Sequence, residues 1–261
     1  MDRFALRDRV VLITGAAGHL GGAFAEAAAE AGAHVILNGR KKSRLDAIAA
    51  RLTGAASVAI SRGDLTDDAY LKSLVRFVRT KYGRLDVVLN NAYESKTARL
   101  ESASTRDFQK KIAVGMIAPF RLVQIALPLL RATAKKTRRS VSVINMASMY
   151  GSVSPDPRLY GDSGQNSPPY YGAVKGGLLQ LTRYLAVHLA PDNIRVNAIS
   201  PGPFPANLKD RKFIGGLKSR VPMSRIGTPD ELKGAFLFLA SDASSYVTGI
   251  NLPVDGGWTA W

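Results

Sequence analysis

The sequence predicts the α/β class: one domain, residues 1–261, built on a doubly wound parallel sheet of about seven strands with helices on both faces. Three observations predict it. Short runs rich in valine and isoleucine alternate with segments of helical period along the whole chain, the pattern of repeated βαβ units. Those runs are apolar at consecutive positions, as strands covered on both faces require. The chain has 261 residues, 46% of them hydrophobic and none of them cysteine, so one large core must hold it without disulfides.

The strands are expected at 9–13 (Arg-Val-Val-Leu-Ile), 34–37 (His-Val-Ile-Leu), 57–61 (Ser-Val-Ala-Ile-Ser), 86–89 (Asp-Val-Val-Leu), 141–145 (Val-Ser-Val-Ile-Asn), 195–199 (Arg-Val-Asn-Ala-Ile) and 251–254 (Asn-Leu-Pro-Val). Helices are expected between them at 20–31, 43–52, 67–82, 105–130, 171–189 and 229–240. The last has a clear start: Thr228 at the cap, Pro229 at the first helical position and Glu231 three after the cap. These residues satisfy or remove N–H groups that a helix start leaves orphaned. Two stretches break the rhythm. Residues 152–169 are rich in Pro, Gly, Ser and Asp, and 201–225 are long, basic and irregular at their start. Long loops in a compact domain are commonly binding loops or lids, so 152–169 is expected to be a substrate loop and 203–225 a substrate lid.

Composition excludes several functions. Without cysteine there is no thiolate metal site and no cysteine nucleophile, and His19, His34 and His188 are too scattered for a histidine metal cluster. No metal site is expected. No window reaches ~18 uninterrupted apolar residues, so no membrane span is expected. The first residues run from charges straight into an apolar strand, without a signal-peptide layout, and the expected compartment is the cytoplasm. The 36 Lys+Arg against 20 Asp+Glu leave a net charge of +16. Such a field attracts anionic partners, but the basic residues are spread over the chain without interleaved aromatics. Solvation of the surface accounts for them as well, and no specific nucleic-acid partner is expected.

The first strand empties into Thr14-Gly15-Ala16-Ala17-Gly18-His19-Leu20-Gly21-Gly22, followed by a helix. Glycines there allow a tight turn and let backbone N–H groups approach a pyrophosphate at the positive end of the helix. This is the layout of a Rossmann-type dinucleotide site.

Further motifs follow in order: Asp64-Leu65 after the third strand, Asn90-Asn91-Ala92 after the fourth, Ser148 after the fifth, Tyr171-Gly172-Ala173-Val174-Lys175, Pro201-Gly202 after the sixth, and Val254-Asp255-Gly256-Gly257 near the end. With these motifs the chain resembles the short-chain dehydrogenase/reductase family, classical type, over almost its whole length. The resemblance implies a nicotinamide cofactor. Gly15, Leu20 and Gly21 would line its pyrophosphate, Asp64 and Leu65 would flank adenine, Asn91 and Ala92 would support the adenosine side, and Pro201-Gly202 would sit beside the nicotinamide. The middle glycine usual in this turn falls on His19, with Gly18 one place earlier. The end of strand two, Leu37-Asn38-Gly39-Arg40-Lys41-Lys42, carries no acidic side chain to bind a ribose 2′-hydroxyl, whereas Arg40 offers a donor fork suited to a 2′-phosphate. NADP(H) is therefore preferred to NAD(H), which stays possible.

Tyr171 and Lys175 are four residues apart, one turn along one helix face. Hydride transfer to a ketone needs a proton delivered to the developing alkoxide, and the reverse reaction needs one removed. A free phenol titrates near ~10 and is a poor base at neutral pH, but an adjacent ammonium lowers that value. Lys175 is thus expected to hold the nicotinamide ribose and tune Tyr171, while Ser148 holds the substrate oxygen. The resemblance also implies an asparagine in the long fourth helix, bracing a water behind the lysine; that position is Gly115 here. Ser148 and Tyr171 are separated by a longer gap than is usual in such proteins. The insertion carries Asp156, Arg158, Tyr160, Asp162, Gln165 and Asn166, and points to a polar substrate. Lys209, Arg211, Lys212, Lys218 and Arg220 in the lid would suit an anionic one, or are solvated charges.

The expected function is hydride transfer between NADP(H) or NAD(H) and a polar secondary alcohol or ketone, such as a sugar, polyol or sugar acid. The alternatives are a 3-oxoacyl-thioester reductase and a non-catalytic nucleotide-binding regulator. A homotetramer or homodimer is implied by resemblance, through the helices at 105–130 and 171–189, and the apolar end at Trp258 and Trp261 is expected to be buried against the body or a neighbour.

Overall fold

The computed structural model describes residues 3–94, 97–161, 163, 166–206 and 209–261. Seven strands form one parallel sheet in the order β3-β2-β1-β4-β5-β6-β7. They are β1 (Val10–Ile13), β2 (His34–Gly39), β3 (Ser57–Arg62), β4 (Val87–Asn90), β5 (Val141–Met146), β6 (Ile194–Pro201) and β7 (Asn251–Val254). β1, β4, β5 and β6 are buried at every position, which explains their continuous apolar sequence. The helices are α1 (Gly21–Glu30), α2 (Lys42–Ala49), α3 (Asp68–Tyr82), α4 (Thr105–Ile112), α5 (Ala118–Thr137), α6 (Pro169–Leu189), α7 (Arg211–Arg220) and α8 (Lys233–Ala240).

The sheet separates two cores. On one face β1, β4 and β5 carry Val10, Leu12, Val88 and Val143 against Leu71 and Leu74 of α3 and Leu122, Ala126 and Leu130 of α5. On the other face Val11, Ile13, Val35 and Leu37 meet Phe24 and Ala28 of α1 and Phe236 and Leu239 of α8. The alternation of strand residues between these two lists is the strand period of two made visible.

Strand bounds agree with the sequence reading to within two residues. The helices differ most in two places. The helix expected at 105–130 runs seven residues further and is interrupted by a π-turn at Ala113–Ile117, which includes Gly115. A π-turn inserts one extra residue and is hidden from a period-3.6 pattern. Among the described residues, Thr105–Thr137 is also the one stretch long and apolar enough to cross a membrane by length and composition, but α5 lays Leu122, Val123, Leu129 and Leu130 into the core. The helix expected at 229–240 begins as a 3₁₀ turn, Pro229–Leu232, with Glu231 accepting the Thr228 N–H at 2.9 Å. At the C-terminus Trp258 is buried, as expected, while Trp261 is 83% exposed. The apolar end is therefore only half tucked in.

Between β1 and β4 the strand order reverses direction, so the loops leaving their C-terminal ends diverge and open a crevice. In open α/β sheets this is where ligands bind. Every motif singled out in the sequence lies along that edge or above it.

Candidate active site

The crevice is floored by the turn after β1. Gly15 has φ +62°, and a Cβ there would stand 2.7 Å from the Ala92 Cα and 3.0 Å from its nitrogen. Only glycine fits. Thr14 ties the two strand ends together: its Oγ1 donates to the Leu89 carbonyl and accepts from the N–H groups of Asn91 (2.9 Å) and Ala92 (3.1 Å). The Asn91 amide donates to the carbonyls of Thr14 and Gly15 at 3.0 and 3.1 Å. Asn91 thus braces the turn. α1 then starts at Gly21 with no side-chain cap on its first turn. Gly21 is itself pressed on the turn, a Cβ there lying 2.3 Å from the Gly15 carbonyl. Gly18 and His19 form the exposed tip, and Leu20 is partly covered.

At the far end of the crevice, Asp64 is exposed and accepts the Thr66 N–H and hydroxyl at 2.9 and 2.8 Å, contacts that hold its carboxyl below the usual range. Leu65 points into the core beneath. Arg40 is 65% exposed at the end of β2 and pairs with Glu94 at 2.8 Å. Beside it, Arg62 donates to the Arg40 carbonyl. The sequence reading missed both Glu94 and Arg62. The β2–β3 register, which sets Gly39 opposite Arg62, is what brings the second cation there.

On the other side of β4 the chemical groups converge. Ser148, at the tip of β5, is buried; its Oγ accepts the Tyr150 N–H at 3.2 Å, and it acts on the Tyr171 phenol to lower it. Tyr171 and Lys175 stand on α6, the lysine 5% exposed with Nζ donating to the Met146 carbonyl at 2.6 Å and lying 5.9 Å from the Tyr171 ring centre. Pro201 ends β6 in register with Val254, and Gly202 donates to the Val254 carbonyl at 3.0 Å. Thus Ser148, Tyr171 and Lys175 are brought together, and the pyrophosphate, adenosine and nicotinamide candidates line one crevice.

One electrostatic expectation needs correction. Burial raises the Tyr171 phenol above its ordinary value, the Ser148 hydrogen bond opposes this, and Lys175 is not among the causes. Burial lowers Lys175 to about 7. Two groups that share a dry site both resist charge, and desolvation outweighs attraction between them.

Aromatic side chains that the sequence reading passed over wall the same space. The Tyr93 ring lies 5.5 Å from that of Tyr171, and Tyr150 lies 6.3 Å from it and 6.4 Å from Trp258. Above them the loop after β5 docks on α7. Asp156 pairs with Arg158 at 2.9 Å and with Arg220 of α7, Tyr160 packs on Phe213 at 5.3 Å, and Leu159 meets Gly216. Two of the basic groups near the mouth therefore share one carboxylate and are only partly neutralised. Arg211, Lys212 and Lys218 are exposed on α7. Asp162 and Gln165 lie outside the described residues, and no metal-binding cluster occurs among the described ones.

A crevice of this kind, with a buried serine, tyrosine and lysine beside it, defines a dinucleotide-dependent oxidoreductase. The profile of the family described as "Enoyl-(Acyl carrier protein) reductase" matches residues 15–259. A 3-oxoacyl-[acyl-carrier-protein] reductase of Thermotoga maritima is 36% identical over 257 residues, 97% of this chain and 98% of the relative. Among solved structures, the Pseudomonas aeruginosa RhlG/NADP active-site complex superposes with a TM-score of 0.90 at 31% identity, over 99% of each chain. A gluconate 5-dehydrogenase from Burkholderia cenocepacia, in complex with NADP and tartrate, gives 0.88 at 30% identity, over 100% of this chain and 98% of the other. The chain belongs to the short-chain dehydrogenase/reductase family, classical type. It is an NAD(P)-dependent oxidoreductase acting on CH–OH groups.

Proposed function

We propose that the enzyme interconverts a polar secondary alcohol and its ketone, of the sugar, polyol or sugar-acid class, with NADP(H) as the preferred cofactor. The observation that carries this reading is the Tyr171 ring 5.9 Å from the buried Lys175 ammonium on α6, with Ser148 at the tip of β5, at the C-terminal edge of the sheet.

The residues fit a dinucleotide. The Gly15 position, where a Cβ would collide with Ala92, and the uncapped start of α1 make a close-approach surface for a pyrophosphate along residues 15–21, with Gly15, Gly18, His19, Leu20 and Gly21. Arg40 and Arg62 offer two guanidinium groups to a 2′-phosphate, and no carboxylate ends β2 to repel it. Asp64, Leu65, Asn91 and Ala92 border the adenosine half, and Pro201 and Gly202 the nicotinamide half. The bound nicotinamide supplies or accepts the hydride.

The chain's own groups manage the proton. Ser148 donates to the substrate oxygen and holds it near the Tyr171 hydroxyl. Tyr171 gives its proton to that oxygen in reduction and takes one in oxidation. Lys175 favours the phenolate only in the form that carries its proton, and burial of both groups works against that form. The substrate loop and the substrate lid meet in their described parts through the Asp156–Arg220 pair and the Tyr160–Phe213 contact, which supports their moving together over a substrate. Exposed Arg211, Lys212 and Lys218 suit a substrate bearing a carboxylate. Exposed apolar side chains on the α5 and α6 side, Ile117, Phe120, Tyr184 and Val187, support a homodimer or homotetramer.

The similarity to the Thermotoga reductase supports a second reading, reduction of a 3-oxoacyl thioester. One assay separates the two. Sugars, sugar acids, polyols and 3-oxoacyl thioesters are screened by nicotinamide absorbance, with Tyr171→Phe as the blank. Turnover confined to the thioesters overturns the sugar or polyol reading. Turnover of none overturns both.

A further inference from the structure

We propose that Tyr93 is a positioning residue for the Lys175 ammonium, which it holds against the face of its ring, and that Gly115 exists in the π-turn to make room for that ring. The inference rests on the reading of Tyr171 and Lys175 as the proton-handling pair.

The geometry is specific. The Lys175 Nζ lies 4.6 Å from the Tyr93 ring centre, closer than the 5.9 Å to the ring of Tyr171 on its own helix. A cation within about 6 Å of a ring centre is attracted by the negative face of its π-system, most strongly where water is excluded. The same ring meets Tyr171 edge-on, at an interplanar angle of 61°. Tyr93 therefore touches both members of the pair and fixes their separation.

The space for it is made elsewhere in the chain. A Cβ at Gly115 would stand 2.6 and 2.8 Å from the Tyr93 Cε2 and Cδ2, and 2.5 Å from the Val174 Cγ1. No side chain at 115 coexists with a ring at 93 in this packing. The π-turn at Ala113–Ile117 puts that bare stretch of backbone against the ring. Tyr93 and Gly115 are one device in two places: large where the strand ends, empty where the helix passes.

The ring matters because of what else faces the amine. Among the described residues these are the Met146 carbonyl from β5, Tyr93 after β4, and Tyr171 on its own helix, with Ser148 and Tyr150 beyond the phenol. No carboxylate contributes, and burial alone acts on the lysine to lower it. An electron-rich ring face is then one of the few influences favouring the charged form.

The test keeps the ring's shape and removes its electrostatics. Phenylalanine and 3,4,5-trifluorophenylalanine are placed at position 93 of the full chain. Lys175 is titrated by its Cε carbon shift in ¹³C-lysine-labelled protein, assigned with Lys175→Arg. Tyr93→Phe should leave the midpoint in place, and the trifluoro ring should lower it by about half to one pH unit. In alcohol oxidation the acid limb of the kcat/KM–pH profile, which follows the first proton lost by the Tyr171/Lys175 pair, should move down with that midpoint for the trifluoro protein. An unmoved midpoint with the trifluoro ring, or an equal fall with Phe, overturns the proposal. The NMR titration needs no turnover, so a chain inactive on every substrate would sink the proposed function while this readout still judges Tyr93.

Discussion

Replacing Gly15 by alanine tests the close-approach floor of the cofactor crevice. The residue sits at φ +62°, where a Cβ costs roughly 1–2 kcal/mol. The new methyl would also lie 2.7 Å from the Ala92 Cα. Carbon atoms settle at about 3.5 Å or more, so one segment must retreat by about 0.8 Å. The bonds from the Asn91 and Ala92 N–H groups to the Thr14 Oγ1, at 2.9 and 3.1 Å, would stretch out of range. Each is worth about 1 kcal/mol. The loss should total about 3–4 kcal/mol, a fall in Tm on the order of 10 °C for a chain of this size. Because the retreat deforms the surface that meets the pyrophosphate, NADPH should weaken by at least about tenfold as well. Calorimetric melting with and without NADPH reads both effects. A Tm within 2 °C of the parent (about 0.5–1 kcal/mol) together with an unchanged Kd would refute the packing argument.

Further outcomes follow from the same geometry. Arg40→Ala should lower the NADPH:NADH ratio of kcat/KM by about 10- to 100-fold, the worth of a charge-assisted contact to phosphate; an unchanged ratio would reassign the guanidinium to its Glu94 partner. Lys175 is held at about 7 against an unfolded value near 10.5, so the unfolded chain binds the extra proton between those limits, and stability must rise with pH across that window and level off below about 7. Relative to Lys175→Met, urea melts should show the parent gaining about 2 kcal/mol from pH 7 to pH 9. A parallel pair of profiles would mean that the amine is not buried as described. Asp156→Asn should loosen the loop from α7 and raise KM by up to about fivefold with little change in kcat, since Arg158 and Arg220 open the pair to solvent and screening.

The sheet was legible because its strands are buried on both faces, and burial writes itself into consecutive apolar residues such as Val10–Ile13. Ser148, Tyr171 and Lys175 were legible because short fixed spacings along α6 and at a strand end survive as sequence patterns. What stayed hidden depends on contacts between distant segments. Arg62 reaches Arg40 only through strand register, and Asp156 meets Arg220 only once the inserted loop has folded over α7. The π-turn leaves no periodic mark, so Gly115 read as a missing side chain when it is the counterpart of Tyr93. The tuning of Tyr171 was misjudged for a related reason: spacing reports proximity to a lysine, whereas burial, which dominates both groups, belongs to the whole fold.

The central claim is that Tyr171 passes the proton while the rest of the crevice holds the cofactor. Tyr171→Phe removes one oxygen and leaves the ring packing with Tyr93 and Tyr150 in place. Turnover of the best substrate should fall by about 10²–10⁴-fold, with the NADPH Kd within about twofold of the parent. A variant that retains a tenth or more of the parent's kcat would contradict the account.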